Sequence, residues 1–157
     1  MTRFRKVMVL AALIAAPAAA SSYFGGAPDA CFVSGTTTFR MSAAPAGADY
    51  TVRFTEPDTH ADLRIQLMDS PDQADFVLVD DAGGDGTSAC NGAAPAKTIR
   101  IDAGAQAPDV TVRLAADLPI ADYRIYVSSA RFSQQDAAAL LAVISKMQPR
   151  YRLVGQR

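Results

Sequence analysis

The chain has 157 residues with a formal net charge of −1, one histidine, two cysteines and no tryptophan. Half of the residues are hydrophobic and a fifth are charged, which is typical of a globular protein. The near-neutral balance argues against a chain that binds nucleic acid or an anionic membrane through general charge attraction.

The first twenty residues have the layout of a secretory signal peptide. A basic start at residues 2–6 precedes an uninterrupted apolar run at 7–16, and small residues follow Pro17. The run is short of the roughly 20 apolar residues that a membrane-spanning helix needs. We therefore expect cleavage after Ala20 and a periplasmic or secreted protein. The alternative is an uncleaved N-terminal segment that anchors the chain in a membrane.

Removal of residues 1–20 leaves a mature chain of 137 residues, with 12 basic residues against 16 acidic ones. This length suits one domain with its own core. We expect a flexible mature N-terminus at 21–30, a single β-rich domain at 31–148 and a basic tail at 149–157. That tail could bind a partner or pair with a sheet edge.

Both cysteines, Cys31 and Cys90, remain in the mature chain. Two thiols in an oxidising compartment most often pair, so we predict a Cys31–Cys90 disulfide. The alternative is two separate buried thiols.

Seven segments have the pattern of β-strands. Five of them alternate apolar and polar residues, at 50–54, 63–67, 98–102, 110–114 and 123–127. The continuous apolar run at 76–79 predicts a strand covered on both faces, and 36–40 is a weaker seventh candidate.

The connections between these segments carry Pro, Gly, Asp and Ser, and none is long enough to hold a crossover helix. We therefore predict an all-β fold of about seven mainly antiparallel strands, as a sandwich or barrel, with one C-terminal helix. The alternative is an α+β fold with a single antiparallel sheet. An aspartate precedes five of the strands, which we interpret as a repeated strand-entry turn, with internal duplication as the alternative.

One segment, 133–148, is predicted to be helical. Ser133 can cap its start with Asp136 at the third position. An apolar stripe for packing on the sheet or closing one end comprises Leu140, Leu141, Ile144 and Met147.

The strand alternation also predicts a basic surface. If the apolar positions face the core, five strands each place one arginine on the opposite face: Arg53, Arg64, Arg100, Arg113 and Arg124. In a single sheet these guanidinium groups would form a candidate face for carboxylates, phosphates or acidic glycans. In a sandwich they would be divided between two sheets and would serve solubility.

No catalytic residue can be assigned from motifs. His60 is the only histidine and lies in a turn, which favours a surface role over that of a base or metal ligand. Asp80, Asp81 and Asp85 are weak candidates for a calcium site, because they lack the spacing that wraps a chain around the ion. We assign no cofactor beyond that calcium possibility.

We expect a non-enzymatic binding or structural component of the cell envelope, whose partner is an envelope protein or an anionic ligand. One alternative is a hydrolase that uses aspartates or a divalent cation. Another is an anion- or glycan-binding module that uses the arginine-bearing face.

Overall fold

The computed structural model describes residues 31–44, 47–56, 59–80 and 95–147. These residues form a mostly β fold with one C-terminal helix. The strands are β1 (Cys31–Ser34), β2 (Thr37–Met41), β3 (Tyr50–Phe54), β4 (Leu63–Leu67), β5 (Phe76–Val79), β6 (Lys97–Ile101), β7 (Val110–Ala115) and β8 (Tyr123–Ser128). The helix is α1 (Gln134–Met147), and a short 3-10 helix (Pro71–Gln73) lies between β4 and β5.

Several predictions concern residues outside the described ranges. The signal peptide at 1–20, the N-terminus at 21–30, the tail at 149–157 and Cys90 all lie there. The predicted partner of Cys90 is the first residue of β1, and the disulfide stays a prediction. Among the described residues, no helix has both the length and the apolar character needed to cross a membrane.

The strands recur with a period of thirteen residues. Strands β2 to β5 start at residues 37, 50, 63 and 76, and strands β6 to β8 start at 97, 110 and 123. We call these two series the first arm (37–79) and the second arm (97–128). A buried apolar residue recurs on the core face of these strands at the same period: Phe39, Val52, Ile65 and Leu78 in the first arm, Ile99, Val112 and Ile125 in the second.

The two arms interleave in one eight-stranded sheet of order β1-β2-β6-β3-β7-β4-β8-β5. Only β1 and β2 pair antiparallel, and the six other pairings between described strands are parallel. The expectation of mainly antiparallel strands is therefore wrong, as is that of a sandwich of two sheets. The β1 strand was not among the predicted segments. The prediction that 76–79 is covered on both faces is wrong, because β5 is an edge strand whose Val77 and Val79 are exposed.

Short connections can join the parallel strands within each arm because each of these connections skips only one neighbouring strand. Its ends are separated by the length of a five-residue strand, about 16 Å, and by two strand spacings, about 10 Å. An extended segment of about eight residues reaches at least 26 Å, so no crossover helix is needed. The connection lengths thus exclude a crossover helix, but they do not exclude a parallel sheet.

Helix α1 is enclosed by the sheet. All nine residues from Asp136 to Ile144 are buried, which requires neighbours on every side of the helix. Phe32 in β1 and Phe76 in β5 lie at opposite edges of the sheet, yet their ring centroids are 6.1 Å apart. Edges of a flat eight-stranded sheet would be about 34 Å apart. The sheet therefore curls around α1 as a half-barrel whose edges meet through these two rings.

The helix starts as the sequence predicts. Ser133 Oγ accepts a hydrogen bond from the Asp136 N–H at 3.1 Å, and the Asp136 carboxylate accepts one from the Ser133 N–H at 2.8 Å. Of the predicted stripe, Leu140, Leu141 and Ile144 are buried, whereas Met147 is exposed.

Candidate functional site

The face of the sheet opposite α1, called here the convex face, carries all five predicted arginines. Their strands are five consecutive neighbours in the order β6, β3, β7, β4 and β8, which bear Arg100, Arg53, Arg113, Arg64 and Arg124. The residues of each strand on either side of its arginine belong to the core face. A single curled sheet thus brings together residues that a sandwich would have separated.

Three of the five guanidinium groups are held by the fold. Arg53 Nη1 donates to the carbonyl oxygen of Ala105 at 2.8 Å, in the connection between β6 and β7. Arg100 pairs with Asp102 at 3.1 Å. Arg64 pairs with Asp122. Because these groups hold connections and strand ends, the five arginines do not form one uniform anion-binding surface.

Arg113 and Arg124 differ from the other three. Within the described ranges, no hydrogen bond or ion pair engages either guanidinium group. Arg124 is exposed near the end of the sheet, whereas Arg113 is half-buried in the middle of it. Arg113 has the greater need for a hydrogen-bond acceptor. Its five N–H donors have no acceptor among the described residues, and burial has removed part of their hydration.

Arg113 faces an open cleft of about 490 Å³. The cleft lies where residues 59–62, which lead into β4, adjoin β4 and β7. Its lining consists of Thr59, His60, Ala61, Asp62, Arg64, Arg113 and Asp122. A volume of this size is within the range of sites that hold small molecules or a terminal group of a larger one.

Two like charges lie side by side in this cleft. Arg64 and Arg113 are direct partners across the β4–β7 pairing, an arrangement that is unfavourable unless one charge is compensated. Asp122 compensates Arg64 with two bonds, from Nε to Oδ2 and from Nη2 to Oδ1, each 3.3 Å long. These hydrogen bonds from Arg64 to Asp122 raise the pKa of Arg64. Of the two arginines in the cleft, Arg113 is therefore the one whose guanidinium group has no ion-pair partner among the described residues.

The second carboxylate of the cleft, Asp62, accepts hydrogen bonds through only one of its two oxygens within the described residues. Its Oδ2 accepts hydrogen bonds from the backbone N–H and the hydroxyl of Thr111, both at 2.7 Å. These bonds hold the pKa of Asp62 below its ordinary value, with a smaller contribution from the charge of His60. Oδ1 of Asp62 has no hydrogen-bond partner among the described residues.

No protein-family model, curated protein or solved structure matches this chain.

Asp62 belongs to a set of aspartates that clamp the two arms together. Each precedes a strand and accepts, at 2.7 to 2.8 Å, the N–H of a residue on the neighbouring strand of the other arm. The pairs are Asp49 with Thr98, Asp62 with Thr111, Asp75 with Arg124, Asp109 with Thr51 and Asp122 with Arg64. The strand-entry interpretation missed this role, because the partner lies 49 or 58 residues away in the chain.

Of the three residues proposed for a calcium site, only Asp80 lies among the described residues. Asp80 follows β5, and its carboxylate accepts hydrogen bonds from the Ser129 hydroxyl and the Ala130 N–H, which lower its pKa. Asp81 and Asp85 lie outside the described residues. Across 31–44, 47–56, 59–80 and 95–147, no three His, Cys, Asp or Glu side chains are grouped to hold a metal ion.

The strand alternation predicted Arg64 and Arg113 as site residues. It did not predict that Asp62, Asp122 and His60 lie beside them. His60 is an exposed residue at the rim of the cleft, as expected of a turn histidine. The thirteen-residue spacing of Asp49, Asp62 and Asp75, matched by Thr98 and Thr111, was the available signal.

Proposed function

We propose that this protein is an exported, non-enzymatic binding domain that captures a carboxylate-bearing ligand or partner of the cell envelope in the cleft at Arg113. The observation that carries the proposal is the half-buried Arg113 guanidinium, which has no hydrogen bond or ion pair within the described residues and faces a cleft of about 490 Å³. A guanidinium binds a carboxylate through two parallel N–H···O bonds, and that geometry suits a planar anion.

The environment of Arg113 favours binding over catalysis. Both oxygens of Asp122 accept hydrogen bonds from Arg64, and Oδ2 of Asp62 accepts two from Thr111. Asp122 is therefore fully occupied by Arg64, and the hydrogen bonds from Thr111 lower the pKa of Asp62, which makes that carboxylate a weaker general base. Export rests on the N-terminal sequence and the even number of cysteines.

Anion binding at the cleft is tested with two probes, acetate and inorganic phosphate. Each probe is titrated into isotope-labelled protein, and binding is followed by the NMR shifts of the backbone amides. We expect saturable shifts at residues 59–64 and 111–114 with acetate, and their loss in Arg113→Gln. Arg124→Gln is the matched control, because it removes an exposed arginine of the same face that lies outside the cleft.

Three results would overturn the cleft proposal. One is the absence of saturable shifts with either probe. Another is unchanged shifts in the Arg113→Gln protein. The third is an equal loss of binding in both variants, which would assign anion binding to the arginine-bearing face as a whole.

The location is tested separately from the ligand. We expect the mature protein in the exported fraction to begin at Ser21, as read by mass spectrometry of its N-terminal peptide. A mature protein that still carries residues 1–20 would contradict cleavage and favour the membrane-anchored alternative.

A further inference from the structure

The cleft contains one uncommitted positive group and one uncommitted negative atom. Arg113 supplies the positive group, and Oδ1 of Asp62 supplies the negative atom, while Arg64 and Asp122 neutralise each other through two hydrogen bonds. A ligand with only negative charge gains from Arg113 but is repelled by Asp62. A ligand with both charges gains from each.

The two uncommitted groups are close enough for one small ligand. Leu63 pairs with Val112 and Arg64 pairs with Arg113, so Asp62 lies beside Thr111, two residues before Arg113 on the neighbouring strand. One strand spacing and a rise of two residues along the strand place such neighbours about 8 Å apart at their backbones, a span that long side chains reach. Both side chains line the same cleft.

The hydrogen bonds of Asp62 also favour its ionised form. The two hydrogen bonds from Thr111 lower its pKa, so it keeps its charge from neutral into mildly acidic solution. Because both bonds end on Oδ2, the charge of the carboxylate remains available at Oδ1.

We infer that the ligand carries an ammonium group next to its carboxylate, as the centre of a free α-amino acid does, with the carboxylate on Arg113 and the ammonium on Oδ1 of Asp62. This inference rests on the proposed function, since it assigns the second charge of the ligand bound at Arg113. It separates a zwitterion from plain carboxylates, phosphates and acidic glycans.

The first experiment leaves the protein unchanged and alters the ligand. The common α-amino acids are screened by NMR shift titration, and the tightest binder is compared with its N-acetyl derivative and its primary amide. We expect each derivative to bind at least tenfold more weakly. An N-acetyl derivative that binds as well as the free amino acid overturns the zwitterion and leaves the carboxylate proposal standing. An amide that binds as well overturns the carboxylate proposal itself.

A pair of variants gives the second experiment. Asp62→Asn is expected to weaken binding of the free amino acid at least tenfold but not that of the N-acetyl derivative, because the variant also removes the repulsion between Asp62 and a purely negative ligand. Asp109→Asn is the matched control, because Asp109 clamps the Thr51 N–H at 2.8 Å in the same way but lies outside the cleft. Equal weakening in both variants would overturn the role of Asp62. If Asp62→Asn does not fold, the ligand series on the unaltered chain decides the question alone.

Discussion

The rings of Phe32 and Phe76 contact each other across the two free edges of the sheet, with centroids 6.1 Å apart and planes inclined by 55°. Their strands, β1 and β5, are separated by six strands in the sheet order. Both side chains also pack against the buried core. This contact therefore closes the half-barrel around α1 in place of the backbone hydrogen bonds that would close a complete barrel.

Truncation of either ring is expected to destabilise the protein. Because each ring is half-buried, Phe32→Ala and Phe76→Ala should each lower the free energy of unfolding by about 2 kcal/mol, below the range for fully buried rings. The double variant should show a coupling energy of about 1 kcal/mol, as is usual for an aromatic pair. Urea unfolding of the four proteins measures these quantities.

The control for this cycle is Val77→Ala, on the same strand as Phe76 but exposed on the other face. It should change the free energy of unfolding by less than about 0.5 kcal/mol. A coupling energy of zero between Phe32 and Phe76 would mean that the edges do not meet in solution.

The strand positions were predictable because alternation is a local pattern. Segments 50–54, 63–67 and 76–79 coincide with β3, β4 and β5, and the other predicted strands are shifted by no more than one residue at either end. The pairing was not predictable in the same way, since it depends on contacts between residues 49 or 58 positions apart, such as Asp49 with Thr98. The arginine face was found from alternation alone. The sequence did not show which of the five arginines lies in a cleft, because that depends on which connection lies beside which strand.

Asp49 gives the clamps a pH dependence that can be measured. Its hydrogen bond from Lys97, together with those from Thr98, lowers its pKa from 3.8 to about 2. A carboxyl group with a lower pKa in the folded protein stabilises the fold above the ordinary pKa, and this stabilisation is lost as the pH falls from 3.8 through about 2. Asp49→Asn should therefore cost about 1 kcal/mol at pH 7, allowing for solvent screening, and the difference should vanish in strong acid.

Asp117→Asn is the control for this experiment, because Asp117 is exposed and no described residue bonds to its side chain. Its free energy of unfolding should match that of the unaltered protein at each pH. A difference between Asp49→Asn and the unaltered protein that stays constant from pH 7 to pH 2 would contradict the pKa argument.

The enclosure of α1 predicts an unusual sensitivity to larger side chains. Ala137, Ala138, Ala139 and Ala142 are all fully buried, so no side of this stretch faces water. Ala139→Leu should cost about 1–3 kcal/mol, since a close-packed core accepts extra methylenes only through strain. Differential scanning calorimetry should show the loss as a lower Tm, whereas Ala103→Leu, at an exposed position, should leave the Tm nearly unchanged. A stable Ala139→Leu protein would indicate a helix that lies on an open sheet.

The start of α1 provides a last prediction, because its cap holds a buried carboxyl group. The side chain of Asp136 is 4% exposed, and its carboxylate accepts hydrogen bonds from both the backbone N–H and the hydroxyl of Ser133. Ser133→Ala removes the hydroxyl, so the helix loses its capping acceptor and the carboxylate loses a donor. We expect a loss of about 2 kcal/mol, at the upper end for a capping residue. Gln134→Ala, at the exposed next position, should change the free energy of unfolding by less than about 0.5 kcal/mol. Equal effects in the two variants, measured by urea unfolding, would show that Asp136 does not depend on Ser133.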